Sequence, residues 1–110
     1  MDIEMKQVRN TLIVKLKGEL DMQVADKLRK ELDKKLENEK IENLIINLGK
    51  VTFIDSSGLG VIIGRYKKVS SRKGKMYIVG ANPSVEKILV FCGINKLVPI
   101  YGSEQDIINI

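Results

Sequence analysis

The most restrictive feature of this sequence is a change in the spacing of its apolar residues. Over residues 11–17 apolar and polar side chains alternate, which is typical of a β-strand with one buried face. Over residues 24–36 apolar side chains recur every four positions, which predicts an amphipathic helix of about four turns ending near Glu39. The chain therefore has to pack helices against a sheet.

The first half of the chain also contains a hairpin and a central strand. Ragged alternation over residues 3–8, followed by Arg9-Asn10, predicts a strand and a turn ahead of the alternating segment. The run 44–48 hardly alternates, as expected of a central strand covered on both faces. We expect a loop over residues 49–54 to lead into the next helix.

The second half alternates helices with strands. A helix is predicted to begin after Asp55 and to end near Gly74, and a strand is predicted at residues 76–79. Asn82-Pro83 supplies a cap and a first-turn proline for a third helix, which Gly93 stops.

The chain then closes with a short edge strand at residues 97–100 and a last helix from Ser103. Together these elements predict an α/β sandwich around a mixed sheet of about four to five strands, with an N-terminal hairpin and about four helices. We expect residues 1–110 to form a single domain, because that length suits one core.

Composition excludes several classes of function. The chain has no histidine, which removes catalytic sites with a histidine base and histidine metal sites. The single cysteine, Cys92, allows no internal disulfide, and its position in an apolar helical pattern predicts a small core residue. The remaining carboxylates, lysines, hydroxyls and backbone amides suit a binding module at least as well as an enzyme. Of the two we expect the binding module, with no catalytic residue, no metal and no cofactor.

The sequence also predicts a location. No apolar run approaches the roughly 20 residues that cross a bilayer, and the start of the chain lacks the pattern of a signal peptide. With 44% apolar and 30% charged residues, the composition is that of a folded globular protein. We expect a cytoplasmic protein that does not contact a membrane.

Basic residues are concentrated in one stretch of the chain, which has a net charge of +5. Between Ser56 and Val85 there are six basic residues and no acidic one: Arg65, Lys67, Lys68, Arg72, Lys73 and Lys75. No nucleic-acid motif accompanies them. We interpret them as cations that complement the dipole at the end of a helix, and we expect no direct contact with nucleic acid.

One segment combines groups that can carry chemistry, Asp55-Ser56-Ser57-Gly58-Leu59-Gly60. Two hydroxyls and a carboxylate stand where a helix begins, and the N–H groups of a first turn lack partners within the helix. A phosphate on either serine can accept hydrogen bonds from such N–H groups. The alternative interpretation is that Asp55 or Ser56 only caps the helix.

Glycines make this helix unusual. Gly58, Gly60 and Gly64 each weaken a helix by about 1 kcal/mol relative to alanine, so they serve another purpose. Gly60 and Gly64 lie one turn apart and leave a shallow groove for another backbone. A nucleotide site is a weaker interpretation, because no acidic residue ends the next strand and no P-loop is present.

A longer pattern surrounds this segment: residues 51–61 are preceded by Gly18-Glu19-Leu20-Asp21 and followed by Gly80-Ala81-Asn82-Pro83. In these motifs, and in length and order of elements over essentially the whole chain, the sequence resembles the bacterial anti-sigma factor antagonists of the STAS domain family. The Asp-Ser-Ser-Gly-Leu-Gly stretch is the most specific part of the resemblance.

The resemblance implies regulation of transcription by exchange of partners. In the family, an unphosphorylated antagonist binds an anti-sigma factor that is itself a serine kinase of the GHKL ATPase type, and so releases the sigma factor. The kinase phosphorylates the first serine of the pair, which matches Ser56, and the phosphorylated antagonist dissociates. A metal-dependent serine phosphatase of the PP2C type reverses the modification.

Four polar residues receive predicted roles. Ser56 is expected to be the phosphoacceptor, and Ser57 to support the turn or to take the phosphate instead. Asp21 and Asp55 are expected beside Ser56, since each follows a strand and strand ends gather at one edge of such a sheet. They orient the hydroxyl, contact the kinase or cap helices.

The docking surface is expected to include Gly58, Leu59 and Ile62, although Leu59 and Ile62 fit a core role equally well. A phosphate at the centre of this surface buries charge without a partner, so we expect it to abolish docking by local electrostatics and without refolding. Two alternatives stay open: a STAS module in a stress-signalling or lipid-transport assembly, and a nucleotide-binding protein.

Overall fold

The order of elements follows the spacing of apolar residues. The structure is a computed structural model that describes the backbone of residues 1–108 and the side chains of residues 1–107. Its elements are β1 (Asp2–Val8), β2 (Thr11–Leu20), α1 (Met22–Leu36), β3 (Asn43–Ile54), α2 (Ser56–Ser71), β4 (Met76–Val79), α3 (Pro83–Phe91), a 3-10 turn (Ile94–Lys96), β5 (Ile100–Tyr101) and α4 (Glu104–Ile108).

The five strands form one mixed sheet in the order β1-β2-β3-β4-β5. β1 and β2 are an antiparallel hairpin, and β2, β3, β4 and β5 run parallel. Buried residues of α1, α2 and α3 join one core with alternate residues of the strands, so these three helices lie on one face of the sheet, as expected when successive crossovers share one hand. The predicted mixed sheet with an N-terminal hairpin and about four helices is confirmed.

The main core lies between this face and the helices. Alternate residues of β2 and β3 point into it and meet the apolar stripe of α1: Leu12, Val14, Leu16, Leu44, Ile46, Leu48, Leu28, Leu32 and Leu36. On the opposite face Ile45 is also buried, and Asn47 Nδ2 donates to Glu104 Oε2 of α4 at 3.0 Å. The central strand is therefore covered on both faces where the sequence predicted it.

β3 is longer than predicted. The expected loop at residues 49–54 is part of the strand, because Val51 and Ile54 enter the core and are 0% and 2% exposed. β2 follows β3 to its end, with register shifts near Gly18, which adopts a φ of +120°. As a result the strand delivers Asp55 directly to the end of the sheet, without an intervening loop.

Two further boundaries differ from the prediction. α1 ends at Leu36 and not near Glu39, because Lys40 N donates to Asn38 Oδ1 at 3.0 Å in a turn that brings Ile41 into the core. The last strand is Ile100–Tyr101 and not 97–100, because Leu97 N and Val98 N donate to Ile94 O at 2.9 and 2.8 Å and so prolong the 3-10 turn.

Cys92 is exposed, so its assignment to the core was wrong. α3 ends at Phe91, and its buried residues are Val85 and Leu89. The chain then turns at Gly93, with a φ of +77°, and Ile94 takes the next core position instead.

No helix within residues 1–108 has the length and apolar character needed to cross a bilayer.

Gly74 has a different role from the predicted one. Lys73, with a φ of +62°, takes the left-handed position that ends α2, and Gly74 N donates to Val69 O at 3.0 Å. A Cβ at Gly74 would lie 1.7 Å from the carbonyl oxygen of Glu42. The glycine is therefore required by a close backbone approach and not by its φ.

Gly74→Ala should lower the free energy of unfolding by about 3 kcal/mol, because the backbone near Glu42 has to shift. Gly60→Ala is the matched control: a Cβ there meets nothing within 4 Å, so the better helix former should raise stability by up to about 1 kcal/mol. Urea denaturation of both variants measures this. Equal unfolding midpoints would contradict the packing argument.

Candidate functional site

Two acidic residues meet at one edge of the sheet. Asp21 follows β2 and Asp55 follows β3, and the last residues of these parallel neighbours, Leu20 and Ile54, are in register. Asp55 N donates to Leu20 O at 3.2 Å, which joins the two chain segments where they leave the sheet. The structure thus brings together the two carboxylates that the sequence predicted to be neighbours.

The carboxylate of Asp55 connects the N-termini of two helices. Its Oδ1 accepts hydrogen bonds from Ser57 N at 2.9 Å and from Gly58 N at 3.1 Å, in the first turn of α2. Its Oδ2 accepts from Met22 N at 3.1 Å, in the first turn of α1. One side chain therefore caps α2 and fixes the start of α1 relative to it.

Asp21 is a simpler cap. Its Oδ1 accepts from Gln23 N at 3.0 Å, and its backbone carbonyl accepts from Val24 N and Ala25 N. Both acids are N-caps, so the capping interpretation describes both of them.

This capping corrects one part of the sequence argument. The first-turn N–H groups of Ser57 and Gly58, which were expected to receive a phosphate, already bind Asp55. A phosphate on Ser56 would have to compete with a carboxylate for them. The end of the helix therefore offers an added anion much less stabilisation than an uncapped helix does.

The two serines differ in exposure. Ser56 is exposed as the first residue of α2, whereas Ser57 is half-buried. Ser57 lines a shallow groove of about 270 Å³ between α1 and α2, together with Gly60 and Arg29. Of the two hydroxyls, that of Ser56 is the more accessible to another protein.

The three apolar or small residues assigned to the docking surface lie deeper. Gly58 is buried against the end of β2. A Cβ at this position would stand 2.6 Å from Leu20 O, so only glycine lets α2 pack this closely. Leu59 is half-buried against the core. Ile62 is 1% exposed and belongs to the core. Its assignment to the docking surface was therefore wrong, and the alternative role in the core is the correct one.

Sequence reasoning missed two exposed apolar side chains on the segments that meet at this edge of the sheet. Met22, the first residue of α1, is 73% exposed, and Phe53, near the end of β3, is 46% exposed. The available signal was that Met22 lies off the four-residue spacing that starts at Val24. Phe53 gives no such signal, because the spacing of residues 49–54 predicts a loop and the structure has a strand there.

The seam between α1 and α2 contains a buried cation. Arg65 is 7% exposed, with its Nε 3.1 Å from Asp33 Oδ1, and Lys68 Nζ lies 3.1 Å from the same oxygen. Burial lowers the pKa of the Arg65 guanidinium, and the charge of Asp33 opposes that shift. One of the six clustered cations thus holds the two helices together and is not part of a basic surface.

Replacement of Asp55 should cost more stability than replacement of Asp21. Asp55→Ala removes the acceptor of N–H groups in two helices and should lower the free energy of unfolding by about 2 kcal/mol, whereas Asp21→Ala should cost about 1 kcal/mol. Asp26→Ala, which removes only exposed pairs on α1, should cost less than either of these two variants. Chemical denaturation of the three variants ranks them, and a different order would contradict the bridging role of Asp55.

The comparisons with known proteins agree with this arrangement. The sequence profile of the STAS domain matches residues 2–107. The anti-sigma F factor antagonist of Paenibacillus polymyxa is 40% identical over 104 residues, which are 94% of this chain and 89% of that protein.

Solved structures are also similar. A putative anti-sigma factor antagonist from Thermotoga maritima superposes with a TM-score of 0.91 at 27% identity, covering 97% of this chain and 92% of that one. The unphosphorylated form of the anti-sigma factor antagonist SpoIIAA, at 24% identity, shares the fold with a TM-score of 0.86 over 98% of this chain and 94% of its own. The chain therefore belongs to the STAS domain family and is related within it to anti-sigma factor antagonists.

Proposed function

We propose that this protein is an anti-sigma factor antagonist that binds an anti-sigma factor only while Ser56 is unphosphorylated. The observation that carries the proposal is the exposed Ser56 at a capped helix start, at the sheet edge where α1 begins with the exposed Met22 and where β3, which carries the exposed Phe53, ends. The name of the Paenibacillus polymyxa relative supports the class of partner. The protein acts by binding and is not an enzyme.

Exposed apolar side chains next to a polar hydroxyl suit a protein interface. Met22 and Phe53 supply apolar surface that a partner can bury. Phe53 lies three residues before Ser56 in the chain, and Met22 N donates to the carboxylate of Asp55, the residue before Ser56. Such an interface excludes water when the partner is bound. A group added at Ser56 would then be removed from solvent.

The same site explains the sign of the switch. A phosphate adds a charge of about −1.5 to −2, and here it would stand beside the carboxylates of Asp55 and Asp21. The nearest first-turn N–H groups are already bonded. Burial of that charge against a partner should cost about 4 kcal/mol, which is about a thousandfold in affinity.

The proposed switch needs no refolding. Asp55 holds the starts of α1 and α2 without help from Ser56, so the helices keep their places when Ser56 is modified. The fold of SpoIIAA resembles this chain in its phosphorylated form as well, with a TM-score of 0.78 at 23% identity. We therefore assign the loss of binding to charge and bulk at one position.

The proposal includes the partners and the location. The anti-sigma factor is a serine kinase of the GHKL ATPase type, which transfers the terminal phosphoryl group of ATP to the Ser56 hydroxyl. A serine phosphatase of the PP2C type removes it. All three proteins act in the cytoplasm, where a bacterium carries out transcription.

Incubation with the candidate kinase and Mg-ATP should place one phosphate on Ser56, located by peptide mass spectrometry. Ser56→Ala should bind the kinase and resist modification, whereas Ser56→Asp should bind at least tenfold more weakly because it places a charge in the interface. Ser57→Ala is the matched control and should still be phosphorylated. Phosphate on Ser57, or wild-type affinity of Ser56→Asp, would contradict the assignment.

Met22→Ala and Phe53→Ala should each weaken binding of the kinase by about tenfold, measured by titration calorimetry, because each removes an apolar contact at the proposed interface. Phe91→Ala is the control. Phe91 is 90% exposed but stands at the C-terminal end of α3, away from the helix N-termini. If all three variants bind like the wild type, the docking surface lies elsewhere.

A further inference from the structure

The sheet has one long edge that the described residues leave unpaired. β1 spans Asp2–Val8 and bonds to β2 on one side, and it is the first strand in the sheet order. The opposite edge of the sheet is the two-residue strand β5. A strand edge of seven residues presents unpaired N–H and C=O groups that another strand can bind.

The two faces of β1 have different characters. Asp2, Glu4 and Lys6 are exposed on the face turned away from the helices. Ile3 and Met5 are half-buried on the helical face, where they line an open groove of about 510 Å³ beneath α1. The outer side of this groove is formed by polar residues of α1, Glu31, Lys34 and Lys35.

We propose that β1 binds β1 of a second copy of this chain in antiparallel register centred on Met5, which joins two sheets across a two-fold axis. Met5 then faces Met5, Ile3 faces Gln7, and Glu4 faces Lys6 at both ends of the contact. The axis lies perpendicular to the sheet, so the helices of both copies remain on the same face.

Charge complementarity selects this register. Side chains that face each other across an antiparallel pair must lie on the same face of the sheet. The register can therefore shift only by two residues at a time, and each such shift moves the centre of the pair by one residue. A centre at Glu4 places Glu4 against Glu4, and a centre at Lys6 places Lys6 against Lys6. A centre at Ile3 sets Asp2 against Glu4. Only the centre at Met5 creates two opposite-charge pairs and no like-charge pair.

The neighbouring strand extends the pattern. Within one chain Glu4 lies opposite Lys15 of β2, so in the joined sheet each Glu4 stands between that lysine and Lys6 of the second copy. Opposed charges at directly facing positions stabilise a sheet, and like charges destabilise it. Charged residues usually discourage edge pairing, but this alternation is self-complementary.

The contact is independent of the proposed switch. β1 of the two copies run in opposite directions, so the sheet ends that carry Ser56 point to opposite sides of the joined sheet. Each copy can therefore bind its partner or be phosphorylated without opening the contact at β1.

Sedimentation equilibrium at low salt tests the proposal over a concentration series. The wild type should form dimers, and their dissociation constant should rise with salt because the facing charges are screened. Glu4→Lys and Lys6→Glu each turn both opposite-charge pairs into like-charge pairs and should weaken dimerisation by at least tenfold. The double variant Glu4→Lys/Lys6→Glu restores opposite charges and should dimerise like the wild type.

Asp2→Lys is the control, because Asp2 faces the uncharged Val8 in this register and its replacement should leave the dissociation constant within about twofold. Thermal unfolding of each variant separates loss of dimer from loss of fold. The proposal is overturned if the wild type stays monomeric at its solubility limit, if the double variant does not recover dimerisation, or if Asp2→Lys matches Glu4→Lys. None of these results bears on Ser56.

Discussion

The arrangement of this protein depends on one carboxylate. Asp55 accepts N–H groups from the first turns of α1 and α2, and so it fixes the relative positions of two helices that come from different crossovers. Sheet register alone places the strand ends side by side, but it does not determine where each helix starts. With both starts fixed by one side chain, Met22 and Ser56 keep a constant relation to each other.

The same carboxylate determines what the helix end can do. An uncapped first turn behind a glycine-rich segment can bind an anion. The spacing of Gly58, Gly60 and Gly64 is the reason that a nucleotide site is an alternative for this segment. In this chain Asp55 occupies those N–H groups, Gly58 allows close packing on Leu20, and the position of Gly60 is open to solvent. The glycines therefore serve packing and surface shape, and the geometry favours a docking site over a nucleotide site.

Much of this arrangement could be predicted from the sequence because it follows from periodicity and parallel connection. The five-stranded sheet and the adjacency of Asp21 and Asp55 both follow from strands that run parallel and end at one edge. Features that depend on a local change of direction could not be predicted. Cys92 fits the helical spacing, yet the turn at Gly93 leaves it outside the core.

Exposed apolar residues of the proposed docking surface could not be predicted from the sequence either. Periodicity identifies the buried stripe, but it cannot distinguish an exposed apolar side chain with a partner from one without. Phe53 is such a residue: its exposed position follows from the extension of β3 to Ile54, which the spacing of apolar residues does not predict. The burial of Arg65 could not be predicted either, because Arg65 lies among other basic residues in the sequence and nothing there indicates its ion pair with Asp33 on α1.

Because Asp55 secures α1 and α2 without any contribution from Ser56, the proposed modified and unmodified forms should resist heat and proteases almost equally. Neither form would be preferentially degraded in the cell. A bacterium could then return the same molecules to service through many rounds of signalling, with no need to synthesise replacements each time the signal reverses.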